Sequence, residues 1–296
     1  DLHRRRHSFP TRRSSDLTAT TGPLTQSLAQ LRRRVAQRLG DYLLLTGTSN
    51  GSTTTFIDTI NINTATESMV GRILLASDGT IHRITAQVDG SGTITFTPAV
   101  SNSNLVEAGD TAEVFNKRGK GFLPSEYRDA INAAINDAFP LGRVEITEDI
   151  AGTFDSSTPE ITVPAAMTHV HTVEWQDDEG YWHVLMKATR SNEQGWRADS
   201  ASGEIRLQGI AASLADGFSV RVTGYGRQEI LTADSDTCAL NAEYIVARAC
   251  YHLTYGNIDK DEKSAQTTTG FKTESDALRI RLRRIERTDS ERVRSI

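Results

Sequence analysis

The chain has 296 residues, 37% of them hydrophobic, with 33 basic and 38 acidic side chains and a formal net charge of −5. That length can bury a good core and hold two or three domains, and the acidic balance leaves no general nucleic-acid or membrane footprint. No apolar run reaches the roughly 18 residues of a membrane span, so no membrane partner is expected. Two cysteines, Cys238 and Cys250, exclude a disulfide scaffold. They fall along one helix and its lead-in, where a bridge would need the chain to double back. Buried free thiols are expected, which suits an intracellular origin.

The first 17 residues, DLHRRRHSFPTRRSSDL, hold five arginines, two histidines and a proline. With no apolar stretch they do not read as a secretory signal. Taken literally they form a basic arm able to touch nucleic acid. They also resemble a translated sequencing-adapter fragment of the kind found in genes assembled from environmental DNA. On that reading the arm has no function and the natural start lies elsewhere. Residues 1–23 are expected as arm and linker, outside the folded part.

Leu24, Leu28, Leu31, Val35 and Leu39 recur at helical spacing, with Thr25 as a candidate N-cap. Arg32, Arg33 and Arg34 then fall on the wet face of a helix over 24–40, as a solvated or subunit-contacting surface. Residues 41–59 are polar and rich in Thr, Ser and Gly. Strand signals follow, punctuated by Asp78-Gly79 and Asp89-Gly90, which are good hairpin turns. Pro98 ends a third strand and 111–115 forms a late one. This predicts a small antiparallel β-barrel-like module over 53–116.

A helix over 124–140 carries Tyr127, Ala130, Ile131, Ala134, Ile135 and Ala138 as its apolar stripe. Its alanines would admit a close neighbour helix, including one from another copy. Region 143–230 shows short strands with frequent turns and reads as a β-sandwich-like module. The return to helix covers 238–287, with segments at 240–255 and 271–287 joined by a polar linker. The second segment bears Arg279, Arg281, Arg283, Arg284 and Arg287. Residues 288–296 read as a flexible tail. The fold class is α+β: a discontinuous bundle of about four helices interrupted by two β modules.

The search for chemistry finds little. His169 and His171 share a strand face and His183 is on the next strand, so the three could converge on a transition metal or could simply be half-exposed beside Trp175 and Trp182. Asp177, Asp178 and Glu179 lack the spacing of a calcium loop. No HExxH, GxSxG or Walker A pattern occurs. Glu145, Glu148 and Asp149 read as a solvated strand edge. No catalytic residue, metal or cofactor is expected. Trp175, Tyr181, Trp182 and Trp196 cluster in sequence, and such aromatics close a core, anchor a partner or stack on sugars.

The order of elements carries a resemblance. The opening helix LTQSLAQLRRRVAQRLG followed by GSTTTFIDT, the late turn VEAGDTAEVF, the helix PSEYRDAINAAINDAFP and the return GRQEILTADSDTCALNAEYIVARACYHL together resemble neck proteins of tailed bacteriophages, of the head-to-tail connector or adaptor type. The resemblance implies a non-enzymatic virion protein, located in the neck and assembled in the bacterial host cytoplasm. It implies a ring of on the order of twelve copies that contacts the portal protein and a stopper or tail-completion protein. Double-stranded DNA would pass through the channel without sequence recognition. The candidate subunit or portal contacts are Arg32, Arg33, Arg34, Tyr127, Ile131, Arg279, Arg283 and Arg284. The two β modules exceed a minimal helical adaptor, so stopper and tail-completion roles stand beside the adaptor role. The alternatives are a tail, baseplate or decoration protein with a glycan-binding β module, and a hydrolase whose site assembles only in three dimensions.

Overall fold

The computed structural model describes residues 25–63, 65, 67–102, 106–115, 121–150, 153–163, 165–188, 194–199, 204–255 and 262–292. For 199, 262–264, 281 and 283–292 it describes the backbone alone. Residues 1–24, and with them the basic arm, lie outside the described residues.

Strand β1 (Gln26–Ser27) leads into helix α1 (Leu28–Arg38) and pairs with β16 (Thr237–Cys238) from the far end of the chain. The cap of α1 is Ser27, not Thr25. Ser27 Oγ accepts from Gln30 N at 3.2 Å, and the Gln30 side chain accepts from Ser27 N at 3.0 Å. This reciprocal box satisfies two backbone donors that a helix start otherwise leaves open. Helix α2 (Pro124–Ala138) opens with proline, whose missing N–H is no loss there. The Glu126 side chain accepts from Leu123 N at 2.6 Å.

A seven-stranded sheet lies between these helices in the chain. Its strands are β2 (Leu43–Thr46), β3 (Ser49–Ser52), β4 (Thr55–Ile57), β5 (Ile73–Leu75), β6 (Ile81–Val88), β7 (Thr93–Thr97) and β8 (Thr111–Phe115). All pairings are antiparallel, in the order β2-β8-β5-β6-β7-β4-β3. The expected β-barrel-like closure does not occur: among the described residues no ladder joins β3 to the other edge. Gly51 N instead donates to Val106 O, and Gly47 N to Asp110 O, each at 2.8 Å, so the segment leading into β8 covers that edge. Strands β2 to β4 arise within the polar run 41–59. Gly79, at φ +84°, forms the β5–β6 turn where an L side chain would be strained.

The second β region forms two antiparallel sheets. One has the order β12-β11-β15-β9, from β9 (Val144–Asp149), β11 (Met167–Gln176), β12 (Trp182–Val184) and β15 (Val220–Gly226). The other has the order β10-β14-β13, from β10 (Glu160–Thr162), β13 (Gly195–Asp199) and β14 (Glu204–Gln208). They share one apolar core: Val173, Val220 and Val222 from the first, Ile161, Trp196, Ile205 and Leu207 from the second. A short helix α3 (Ile210–Ala215), absent from the expectations, adds Ala211 and Ala215.

Helix α4 (Ala242–Tyr255) and the long α5 (Glu262–Arg292) complete the fold. Helix α5 takes in residues expected as linker before 271 and residues expected as tail after 287. Helices α1, α2, α4 and α5 share a core built on Leu31, Val35, Ile131, Ile135, Ile245 and Leu282. The α2 alanines Ala130, Ala134 and Ala138 are spent in it, inside one chain. Sheet residues Leu75 and Phe115 belong to the same core, while their strand neighbours Leu74 and Val114 face the sheet's own core. Strand alternation thus makes β5 and β8 common to both. Among the described residues, no helix is long and apolar enough to cross a membrane.

Candidate functional site

The arginines of α1 do not face water as a free basic surface. Arg32 is buried and reaches two distant carboxylates. Its Nη1 and Nη2 donate to Asp234 Oδ1 and Oδ2 at 2.5 and 2.8 Å, and Nη2 lies 3.4 Å from Glu113 Oε2. Arg33 donates to Glu113 Oε1 through Nε at 2.8 Å and Nη2 at 2.6 Å. Arg34 bonds Gln26 Oε1 at 2.9 Å and pairs with Glu243 of α4. Arg38 pairs with Glu274 of α5 and lies over the Phe271 ring at 5.4 Å. The arginines of one helix thus fasten a sheet strand, the loop before β16 and two further helices. Burial opposes the charge on Arg32, but Asp234 and Glu113 outweigh it and hold its pKa above the ordinary value. The hydrogen bonds from Arg32 in turn hold the Asp234 carboxyl below the usual carboxylate range.

Tyr127 and Ile131 are fully buried and present nothing to a partner. Tyr127 Oη donates to Asp41 Oδ2 at 2.7 Å, and its burial pushes the phenol pKa up. Arg279 is half-buried beside a groove lined by Pro140, Leu141, Asp276 and Ile280. The side chains of Arg283 and Arg284 lie outside the described residues.

The four aromatics of the second β region separate. Trp196 is buried, with Nε1 donating to Leu185 O at 3.1 Å. In the register of β11 and β12, Trp175 stands opposite His183 and Gln176 opposite Trp182. Neighbouring strand positions face opposite sides, so Trp175 and Trp182 lie on different faces. Trp175 stacks on His183, with centroids 5.0 Å apart, and leans on Phe218 at 5.1 Å. Trp182 carries the Arg221 guanidinium at 4.1 Å, and Arg221 pairs with Glu174 at 2.8 Å. Tyr181 is exposed. Trp175 and Trp182 are both half-buried, so Trp196 alone of the four is withdrawn from the surface.

The three strand histidines do not converge. His171 stacks on Tyr225, with centroids 5.0 Å apart, whereas His183 bonds Asp177 Oδ2 at 2.5 Å through Nε2. That bond holds the Asp177 carboxyl below its usual range. Among the described residues no group of three or more His, Cys, Asp or Glu is placed to hold a metal ion. Cys238 and Cys250 are buried free thiols, as expected, and burial raises their pKa values to about 11 and about 12.

Besides Glu113, Asp234 and Asp41, two more carboxylates escaped the sequence reading. Asp58 is fully buried and accepts from Thr46 N, Ile60 N, Asn61 N and Asn61 Nδ2 at 2.6–3.0 Å. Burial opposes its charge, but these donors outweigh that and hold its pKa low. Asp137 on α2 accepts from Arg248 Nε at 2.7 Å and meets His252 Nε2 at 3.0 Å. The Asp-x-x-Asn pattern at Asp58–Asn61, a turn in which a carboxylate gathers nearby donors, could have marked the first; no local signal marks the second.

The arrangement can hold surfaces together, and its charged groups are largely matched within the chain. No protein-family model matches the chain, and no curated protein matches it.

Proposed function

We propose that this chain is a structural subunit of a tailed-phage virion, a ring-forming connector in the neck that joins portal and head to the tail. The observation that carries the reading is the discontinuous helical core. Helices from residues 28–38, 124–138, 242–255 and 262–292 pack as one unit, and both β modules emerge between them. A small bundle bearing a seven-stranded sheet and a sandwich-like module gives each copy a rigid hub and two appendages for different neighbours. The partners are further copies of the chain, the portal protein and a stopper or tail-completion protein. The net acidic charge suits a conduit for double-stranded DNA, because a wall that neutralises few phosphates does not hold the duplex. The role is assembly without catalysis.

Negative-stain imaging of the purified full chain, alone and with portal protein, tests the reading. Closed rings seated on portal are expected. A chain that stays monomeric in both conditions, or forms a trimer that ignores portal, overturns it. Exposure of Tyr181 beside the half-buried Trp182 favours the second reading, a tail or decoration module that binds glycans. Retention of the chain on a glycan array, abolished by Trp182→Ala, would support that reading.

A further inference from the structure

Arginines of the helical unit are matched to carboxylates one after another: Arg32 and Arg33 to Glu113, Arg34 to Glu243, Arg38 to Glu274, Arg248 to Asp137. Arg279 on α5 breaks the series. Its Nε, like that of Arg32, is buried with no acceptor, but unlike Arg32 it makes no ion pair among the described residues. It lines the groove between the end of α2, at Pro140 and Leu141, and α5, where Asp276 and Ile280 complete the walls. Asp276 lies 3.9 Å from Arg248 Nη1, and Ile280 is 61% exposed. The groove therefore offers a guanidinium short of a partner beside uncovered apolar surface.

The opposite flank of α2 presents the complement. Segment 227–231 is anchored there at both ends. Arg227 bonds the Asn136 side chain. Leu231 N donates to Asn132 Oδ1 at 2.8 Å, and Leu231 O accepts from Asn132 Nδ2 at 2.9 Å. Gln228 Nε2 donates to the carbonyls of Glu229 and Thr237 at 3.3 and 3.2 Å. Between the anchors Glu229 and Ile230 are exposed, so a fixed loop holds out a carboxylate next to an isoleucine. Asn132 and Asn136 lie one turn apart on one side of the buried α2 stripe. Asp137, which reaches α4 and through Arg248 leads to α5, lies on the other. Knob and groove sit on different flanks of one helix, so they do not meet within a chain. A contact of the two between copies would run head to tail, the heterologous geometry that gives a ring when the rotation from copy to copy closes.

We propose that Glu229 and Ile230 of one copy seat in the Arg279–Ile280 groove of the next. The occupant is a second copy of this chain, chosen by charge and apolar complementarity. The inference rests on the ring-forming reading above and names its subunit contact. Full-length chains with Arg279→Glu, with Glu229→Arg, and with both changes are compared with the wild type by sedimentation velocity and imaging, and thermal melting checks that each is folded. Each single reversal is expected to weaken self-association on the order of a hundredfold, as truncating close interfacial charge pairs does. The double variant, and an equal mixture of the two single variants, are expected to restore it. Wild-type rings untouched by either reversal overturn this contact and leave the ring reading standing. Reversals that abolish portal binding but spare self-assembly overturn it by assigning the groove to portal. A wild type that forms no ring with or without portal overturns both.

Discussion

The two β modules are attached to the helices in different ways. The seven-stranded sheet is welded on: Leu75 and Phe115 lie in the helical core, and Glu113, opposite Leu75 in register, receives Arg32 and Arg33. The second module keeps a core of its own and meets the helical core through partly buried Val144 and the Arg227–Asn136 bond. The difference teaches that a strand buried on both faces makes two layers one cooperative body. A module with a single buried layer between its own sheets remains a passenger. Two unfolding transitions are therefore expected, one shared by helices and first sheet and one for residues 144–226.

The comparison can be broken most sharply at two fully buried rings, one in each body. Phe115→Ala is expected to cost about 3–5 kcal/mol and to lower the shared transition, whereas Trp196→Ala should cost a similar amount in the second transition alone. Calorimetry of both variants decides, and one common transition that responds to either would end the distinction. Next in size is Glu113→Ala, which leaves buried Arg32 with Asp234 alone and takes the carboxylate from Arg33. The expected loss is about 1.5–3 kcal/mol, confined to the shared transition in denaturant titrations.

Acid sharpens the contrast more gently. Asp58 and Asp234 both lie in the welded body, with pKa values held below the ordinary carboxylate value near ~3.9. The unfolded chain takes up those protons first as pH falls. The stability they contribute is thus present above about pH 4 and lost as pH falls through the folded values. The shared transition should drop more than the second one, where Asp155 and Asp177 occupy surface turns. Equal losses in a pH series would count against it. The smallest effect is expected from Arg34→Ala, whose partner Glu243 is largely exposed. It should shift the shared transition by about 0.2–1 kcal/mol, and less as salt is added.

Much of the architecture was legible. Spacings of three and four located α1, α2 and α4, and the Asp-Gly dipeptides marked the turns around β6. Strand β3 has the sequence SNGS, with no apolar residue to betray it; a partner strand made it a strand. Helix α3 is too short for a periodic signal. The arginines were visible but their roles were not. Periodicity set Arg32 on the wet face, and only Glu113 and Asp234, 81 and 202 residues away, turn it into an interior fastener. Likewise the alternation of β11 did not reveal its irregular register between Val170 and Thr172, nor the partition of Trp175 and Trp182 onto separate faces.

The helical core also sets an order of assembly. Each β module is contiguous in sequence and gathers its core from nearby residues, whereas α1 needs α4, which the chain supplies more than 200 residues later. Contacts of such long separation are slow to form, and domains on a growing chain fold as they emerge. On the ribosome the second β module, with its own core, therefore precedes the body that helices and first sheet form together, and the fastening of Arg32 to Asp234 marks its closure.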